Sequence, residues 1–332
     1  MKKGWLKIVL ILVVFIILYL LTWTIDFSNH KKPDWGITFS QFYAQKELGL
    51  NWQESYLAIL DELNPKNLRL IAYWNDIEPE KGKFNFIDLD WQIKEAEKRN
   101  KQIILVVGQR VPRWPECHHP DWTKNLTEEE INNVLSTYLK EIINHYKSSS
   151  IIAWQVENEP LFYLFGDCPR PDKKFLKKEV ELVKSLDPTR PIIITDSGEI
   201  STWLETAGIS EILGTTLYRI VWSKYLGWVK HPYSPMIYTL RAFVVKNFSK
   251  TKEVIISELQ VEPWAERKQS IVKIPFDEQV KHFSTKDLKN NFKFAQKTGI
   301  NKIYLWGVEW WYWRKTKGDE SYWKTGKEIF SQ

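Results

Sequence analysis

Short apolar runs alternate with amphipathic stretches along most of this chain, and that alternation predicts a repeated strand–helix unit. The strand-like runs are Gly36 to Ser40, Leu68 to Trp74, Ile103 to Gln109, Ile151 to Glu157, Pro191 to Asp196, Ile212 to Tyr218, Glu253 to Leu259 and Ile303 to Gly307. Several are apolar on both faces and start with β-branched residues, as suits parallel strands covered on each side. Between them, apolar residues recur at three- and four-residue spacing over Glu54 to Leu63, Asp88 to Arg99, Glu128 to Tyr146, Asp172 to Leu186, Ile237 to Phe248 and Asp287 to Lys297, predicting helices. Thr127 with Glu130, and Ser284 with Asp287, have capping-box spacing at two of the helix starts. Eight such units point to an α/β fold closed into a (β/α)8 TIM barrel. An open doubly wound sheet fits less well: no Gly-x-Gly-x-x-Gly follows the first strand, and the units are evenly spaced.

The first segment has a different pattern. From Ile8 to Ile25 the chain is almost wholly apolar, about the length that crosses a hydrocarbon core, and Lys2, Lys3 and Lys7 precede it. Residues 1–25 are expected to form a single-pass transmembrane signal anchor in the lipid bilayer, with the N-terminus cytoplasmic and the remainder on the outer side. With no small-residue cleavage site at its end, an uncleaved anchor is favoured over a removed signal peptide. Residues 26–34 read as a short polar stalk, and residues 35–332 as one catalytic domain, expected to be monomeric.

The net charge of +6 comes from scattered lysines rather than a basic block, which argues against nucleic acid as a partner. Eighteen Trp, with 14 Tyr and 16 Phe, exceed what a core needs, and the surplus suits a site for flat sugar faces. Two cysteines, Cys117 and Cys168, each follow a predicted strand end in what would be an oxidising compartment, so a bridge between neighbouring loops is expected. Cys117-His118-His119 has no third ligand at suitable spacing, so no metal is expected; no cofactor is expected either.

Chemistry concentrates at two strand ends. The fourth run, Ile151-Ile152-Ala153-Trp154-Gln155-Val156-Glu157-Asn158-Glu159-Pro160, stops on an acid followed by a proline that cannot continue a ladder. The seventh, Glu253 to Gln260, carries Glu258 at its end. A barrel brings strands four and seven to opposite sides of one mouth, where catalytic groups sit. Two carboxyls facing each other across a glycosidic bond are what acetal hydrolysis requires: one protonates the leaving oxygen and one meets the oxocarbenium-like carbon. Glu157 alternates onto the same side as Glu159 by strict strand geometry and competes with it for the acid role.

These residues resemble a retaining glycoside hydrolase of clan A, with acid/base on strand four and nucleophile on strand seven, and most resemble the cellulase-type family 5. The resemblance implies Glu159 as acid/base, Glu258 as nucleophile and Asn158 as a donor to the sugar 2-hydroxyl. It also implies Arg69 and Tyr218 as partners of the nucleophile and Trp306 as the floor of the subsite for the cleaved sugar. The loop opening at Trp74 (Trp74 to Gly82) is similar to one in related galactosidases and xylanases, and Trp74 is added to the substrate-binding set with Gln109. Gln109 and Thr216 stand where family 5 carries histidines, and Gln260-x-Glu262-Pro263-Trp264 departs from the family pattern; both point to a specialised subfamily. The expected function is a membrane-anchored hydrolase of β-linked oligo- or polysaccharide working by double displacement. A transglycosylase on the same scaffold and a silent glycan-binding barrel are the alternatives.

Overall fold

A computed structural model describes residues 2–147, 150–170, 172–266 and 269–331. Among the described residues there are ten strands: β1 (Asp34–Thr38), β2 (Asn67–Ile71), β3 (Gln102–Val107), β4 (Ile151–Val156), β5 (Ile192–Asp196), β6 (Ile212–Leu217), β7 (Ile220–Ser223), β8 (Gly227–Lys230), β9 (Glu253–Gln260) and β10 (Lys302–Trp306). Eight of them close a parallel barrel in the order β1-β10-β9-β6-β5-β4-β3-β2, while β7 and β8 form a separate antiparallel hairpin. All eight expected strands are therefore in the barrel, and β9 is its seventh.

The differences lie at element ends. The second strand stops at Ile71, and Trp74 opens a one-turn helix, Trp74–Ile77. The helix Glu128–Tyr146 starts in the expected capping box, as does Thr285–Lys297 from Ser284. Both caps satisfy amide groups that would otherwise have no intrahelical partner. The hairpin β7–β8 and the helices Val308–Thr316 and Ser321–Phe330 carry no pattern that the sequence made legible.

Trp154, Trp203, Trp310, Trp311 and Trp323 are among the largest fully buried side chains. Much of the tryptophan surplus is thus core volume rather than sugar platform, and Trp310 and Trp311 belong to it.

The N-terminal helix runs from Lys2 to Leu21, and the expected span to Ile25 ends in a turn at Thr22–Thr24. Among the described residues no helix is long and apolar enough to cross a membrane. The helix leaves Ile8, Leu12, Phe15 and Leu18 exposed, and its far end docks on the barrel. There the Tyr19 hydroxyl donates to the Pro232 carbonyl, and the Lys297 ammonium donates to the Trp23 carbonyl at 3.2 Å. Residues 26–34 do not hang free. The Phe27 amide bonds the Lys297 carbonyl at 3.0 Å, so closely that a Cβ on Gly299, at φ +70°, would stand 2.4 Å from the Phe27 oxygen.

Candidate active site

Four barrel strands aim polar side chains at one point. Arg69, on β2 and fully buried, is its hub. Its guanidinium donates to Glu258 Oε1 at 3.0 Å, Asn158 Oδ1 at 2.8 Å and Gln155 Oε1 at 2.7 Å. Glu258, on β9, also accepts from the Tyr218 hydroxyl at 2.7 Å through its other oxygen. Burial, then the neighbouring Glu258, holds the Tyr218 phenol well above its usual pKa, so it remains a donor. Glu258 is thus fixed in orientation with a full positive charge beside it.

Glu159 meets the opposite conditions. Beyond β4 the backbone leaves strand geometry, with positive φ at Glu157 (60°) and Glu159 (45°), and the Thr195 hydroxyl accepts from the Glu159 amide at 2.8 Å. The Glu159 carboxyl has no cation as its direct partner among the described residues. Burial, followed by repulsion from Glu258, Glu116 and Glu199, pushes its pKa well above the usual carboxyl range. One carboxyl held as an acceptor beside an arginine, and one driven toward its neutral form, is a division of labour that general acid–base chemistry needs.

The same left-handed turn removes Glu157 from the competition. Period-two alternation ends at Val156, and the Glu157 carboxylate accepts the Gln109 and Arg110 amides at 2.8 and 2.7 Å. It also hydrogen-bonds Glu179 of the helix Lys173–Leu186, and burial raises the pKa of both. Gly108, at φ +128°, permits this approach, since a Cβ there would lie 2.3 Å from Glu157 Oε1. Glu157 therefore holds the turn that presents Asn158 and Glu159, and its carboxyl faces away from them.

Of the other expected site residues, Asn158 lies between Arg69 and Glu116, donating to the latter at 3.2 Å. Trp306, at the end of β10, has the Arg113 guanidinium 4.0 Å over its ring. Two residues are placed elsewhere. Trp74 is fully buried, donating to Glu78 at 2.8 Å and packed edge-on against His119 and Trp122, since β2 ends at Ile71 and Trp74 opens a helix instead of continuing the strand. Gln109 bonds His119 at 2.8 Å and lines a cavity of about 170 Å³ with Glu157 and Glu179. His118 is likewise engaged, with the Arg113 carbonyl at 3.0 Å, and no group of three metal-binding side chains occurs among the described residues.

Sequence reasoning missed Arg113, Glu116 and Glu199. Arg113 and Glu116 come from an irregular loop after β3, which the Cys117–Cys168 disulfide ties to the loop after β4. Burial, then Glu258, pushes Glu116 up to about 7. Glu199 accepts the Tyr218 amide at 2.6 Å and the Thr216 hydroxyl at 2.8 Å, a role for the threonine found where a histidine was the pattern. A run such as Val-Pro-Arg-Trp-Pro-Glu has no periodicity, so only tertiary placement could reveal it.

Comparison with known proteins settles the family. The glycosyl hydrolase family 10 model matches residues 61–324. The chain belongs to glycosyl hydrolase family 10. The family is 10 rather than the expected family 5, within the same clan A of retaining glycoside hydrolases. Endo-1,4-beta-xylanase A of Humicola insolens is 32% identical over 91 residues, 26% of this chain and 22% of that protein. A probable mannan endo-1,4-beta-mannosidase F of Aspergillus flavus is 27% identical over 127 residues, 35% of this chain and 26% of that protein. The chain thus spans about a quarter of the length of the curated relatives it matches. In fold, xylanase 10B of Thermotoga petrophila in complex with xylobiose superposes with TM-score 0.58 at 18% identity, covering 90% of this chain and 94% of that one. GH5_18 of Streptomyces cattleya in complex with GlcNAc gives 0.55 at 13% identity, covering 83% and 70%. The barrel is thus common to both families, and this family 10 chain keeps it.

Arg69 carries most of the site's order. Replacing it by Met is expected to leave Glu258 buried without its cation, lowering stability by about 3–5 kcal/mol. Urea unfolding measures this, and a loss under 1 kcal/mol would contradict the hub role.

Proposed function

We propose that this family 10 chain hydrolyses β-linked glycans by double displacement, with Glu258 as nucleophile and Glu159 as acid/base. The observation that supports this most is the contrast between the two carboxyls: Glu258 bonded to Arg69 and Tyr218, Glu159 buried with a raised pKa. In the first step a Glu258 oxygen bonds the anomeric carbon while the bond to the leaving oxygen breaks, and Glu159 passes its proton to that oxygen. In the second, the Glu159 carboxylate takes a proton from water, the water oxygen bonds the same carbon, and the ester to Glu258 breaks. Asn158, held by Arg69, is the donor to the sugar 2-hydroxyl, and Trp306 lies under the ring. Hydrolysis of a panel of aryl β-glycosides and β-1,4-glycans by the full chain tests the reading. Product must appear and must vanish in the Glu258→Ala variant; equal activity in that variant would refute the assignment.

We also propose that the helix Lys2–Leu21 attaches the protein to a lipid bilayer, leaving the barrel on the outer side. The apolar run behind three lysines and the exposure of Ile8, Leu12, Phe15 and Leu18 support it. The full chain is expected to stay with membranes through alkaline carbonate extraction; recovery in the supernatant would count against attachment.

A further inference from the structure

Glu157 and Glu179 bring two carboxyls into contact between the turn after β4 and the helix Lys173–Leu186. Each residue is 3% exposed. Glu179 lies on the buried side of its helix, with Leu176, Val180 and Val183, where water cannot spread a charge. Two carboxyls in contact and out of water are not both ionised, so a proton joins them.

The surroundings decide which acid carries that proton. Both Glu157 oxygens already act as acceptors, Oε1 for the Gln109 amide at 2.8 Å and Oε2 for the Arg110 amide at 2.7 Å, and the Arg110 guanidinium adds positive charge. Those are the conditions of an anion. Glu179 has the reverse. Its Oε1 has no hydrogen-bond partner among the described residues, and Asp172 opposes a negative charge there. A bare carbonyl oxygen costs a neutral acid far less than it costs an anion, so Glu179 keeps the hydrogen and donates it to Glu157. Burial, then the neighbouring Glu157, holds Glu179 well above the usual carboxyl range. Tyr138 acts on Glu157 from the helix Glu128–Tyr146 and is itself kept neutral by burial, as is His119, which bonds the Gln109 side chain. Glu128 and Arg170 line the cavity beside the pair.

Glu157 is the point where three segments meet. It takes two amides from the loop after β3, and the Asn158 amide returns a bond to the Arg110 carbonyl at 2.7 Å. Asn158 and Glu159 follow directly in the chain, so what fixes Glu157 fixes them. We infer that Glu179 is a positioning residue for the proposed reaction: its carboxyl proton bridges it to Glu157 and fastens the helix Lys173–Leu186 to the turn that presents Asn158 and Glu159. The functional half of this rests on Glu159 as acid/base, proposed above. Without the proton, two buried charges face each other and the turn is pushed from the helix.

Two variants of the full chain test it. Glu179→Gln keeps a donor to Glu157 that does not titrate, whereas Glu179→Ala removes the donor. On a β-1,4-oligosaccharide cleaved by the wild type, Glu179→Ala should lose at least about tenfold in kcat with KM changed by less than about threefold, and Glu179→Gln should recover most of the loss. The Ala variant should lose much less on a dinitrophenyl glycoside, whose leaving group needs no proton. An Ala variant that keeps its kcat, or a Gln variant as slow as the Ala one, overturns the inference.

Urea unfolding reads the proton itself. A carboxyl whose pKa is higher in the folded chain than in the unfolded one gives stability that is full below about pH 4 and is lost as pH rises toward the folded value. Between about pH 6 and pH 8 the unfolding constant of the wild type should therefore climb more steeply than that of Glu179→Gln, by about tenfold per pH unit. Parallel slopes overturn the inference, and this comparison decides it should Glu179→Ala fail to fold. Absence of turnover by the wild type on every glycan overturns the hydrolase reading instead, and the slopes still decide the proton bridge.

Discussion

Glu258→Gln is expected to lower kcat on every substrate by at least about 10⁴-fold, since it removes the carboxylate proposed to form the glycosyl ester. Gln keeps the shape of the side chain and its remaining oxygen still accepts from Arg69, but the buried guanidinium loses its carboxylate partner, so the fold should survive with a measurable loss of stability in urea unfolding. The smaller Glu258→Ala variant gives a sharper result. With room on that face, added azide attacks the anomeric carbon directly and yields the inverted α-glycosyl azide. Rates from steady-state assays and the configuration of the azide from proton NMR check both expectations. A variant that keeps more than a few per cent of wild-type turnover, or that gives only β-azide, would move the nucleophile elsewhere.

Glu159→Ala has the next largest expected effect, and its size should depend on the leaving group. Loss of a general acid costs about 10²–10⁴-fold where the departing oxygen needs a proton. An oligosaccharide should therefore suffer near the upper end, while a dinitrophenyl glycoside, which leaves without help, should form the glycosyl enzyme almost as before. Azide then attacks that intermediate from the face the sugar left, giving the β-glycosyl azide. The pH profile carries a second expectation. The acid acts in its protonated form, so activity is held below its pKa and falls as pH rises through it. Burial and repulsion from Glu258, Glu116 and Glu199 raise that pKa, so the alkaline limb should lie above the range of an ordinary glutamate. In Glu159→Gln this limb should vanish for activated substrates. A limb unchanged in the variant would assign it to another group, of which Glu116, pushed up to about 7, is the nearest.

The barrel was legible because its evidence is local and repeated. Apolar runs of strand length recur with amphipathic helices between them, and a run buried on both faces has few other uses. That Glu159 and Glu258 fall at the ends of such runs was legible for the same reason. What the sequence hid depends on single backbone angles and on loops. Glu157 was placed beside Glu159 by alternation, but alternation holds only while the chain stays extended, and a φ of 60° at Glu157 turns its carboxyl toward Glu179. Trp74 was placed in the substrate-binding set because the loop it opens resembles one in related galactosidases and xylanases. The ladder ends at Ile71, however, and Trp74 is buried against Tyr138. Arg113 and Glu116 sit in a loop without periodicity, and their positions follow from contacts with residues distant in sequence, such as Glu262 and Asn158. The N-terminal run illustrates the same limit: its hydropathy was plain, but its docking through Tyr19 and Trp23 was not.

Double displacement stands or falls on a covalent bond to one named oxygen atom. A 2-deoxy-2-fluoro-β-glycoside with an activated leaving group slows both steps but slows the second more, so the glycosyl enzyme accumulates. Peptide mass spectrometry of the inactivated full chain should find one sugar, on Glu258. A sugar on Glu116, Glu157 or Glu262, or an unlabelled enzyme that turns over ordinary substrate with inversion, would contradict it.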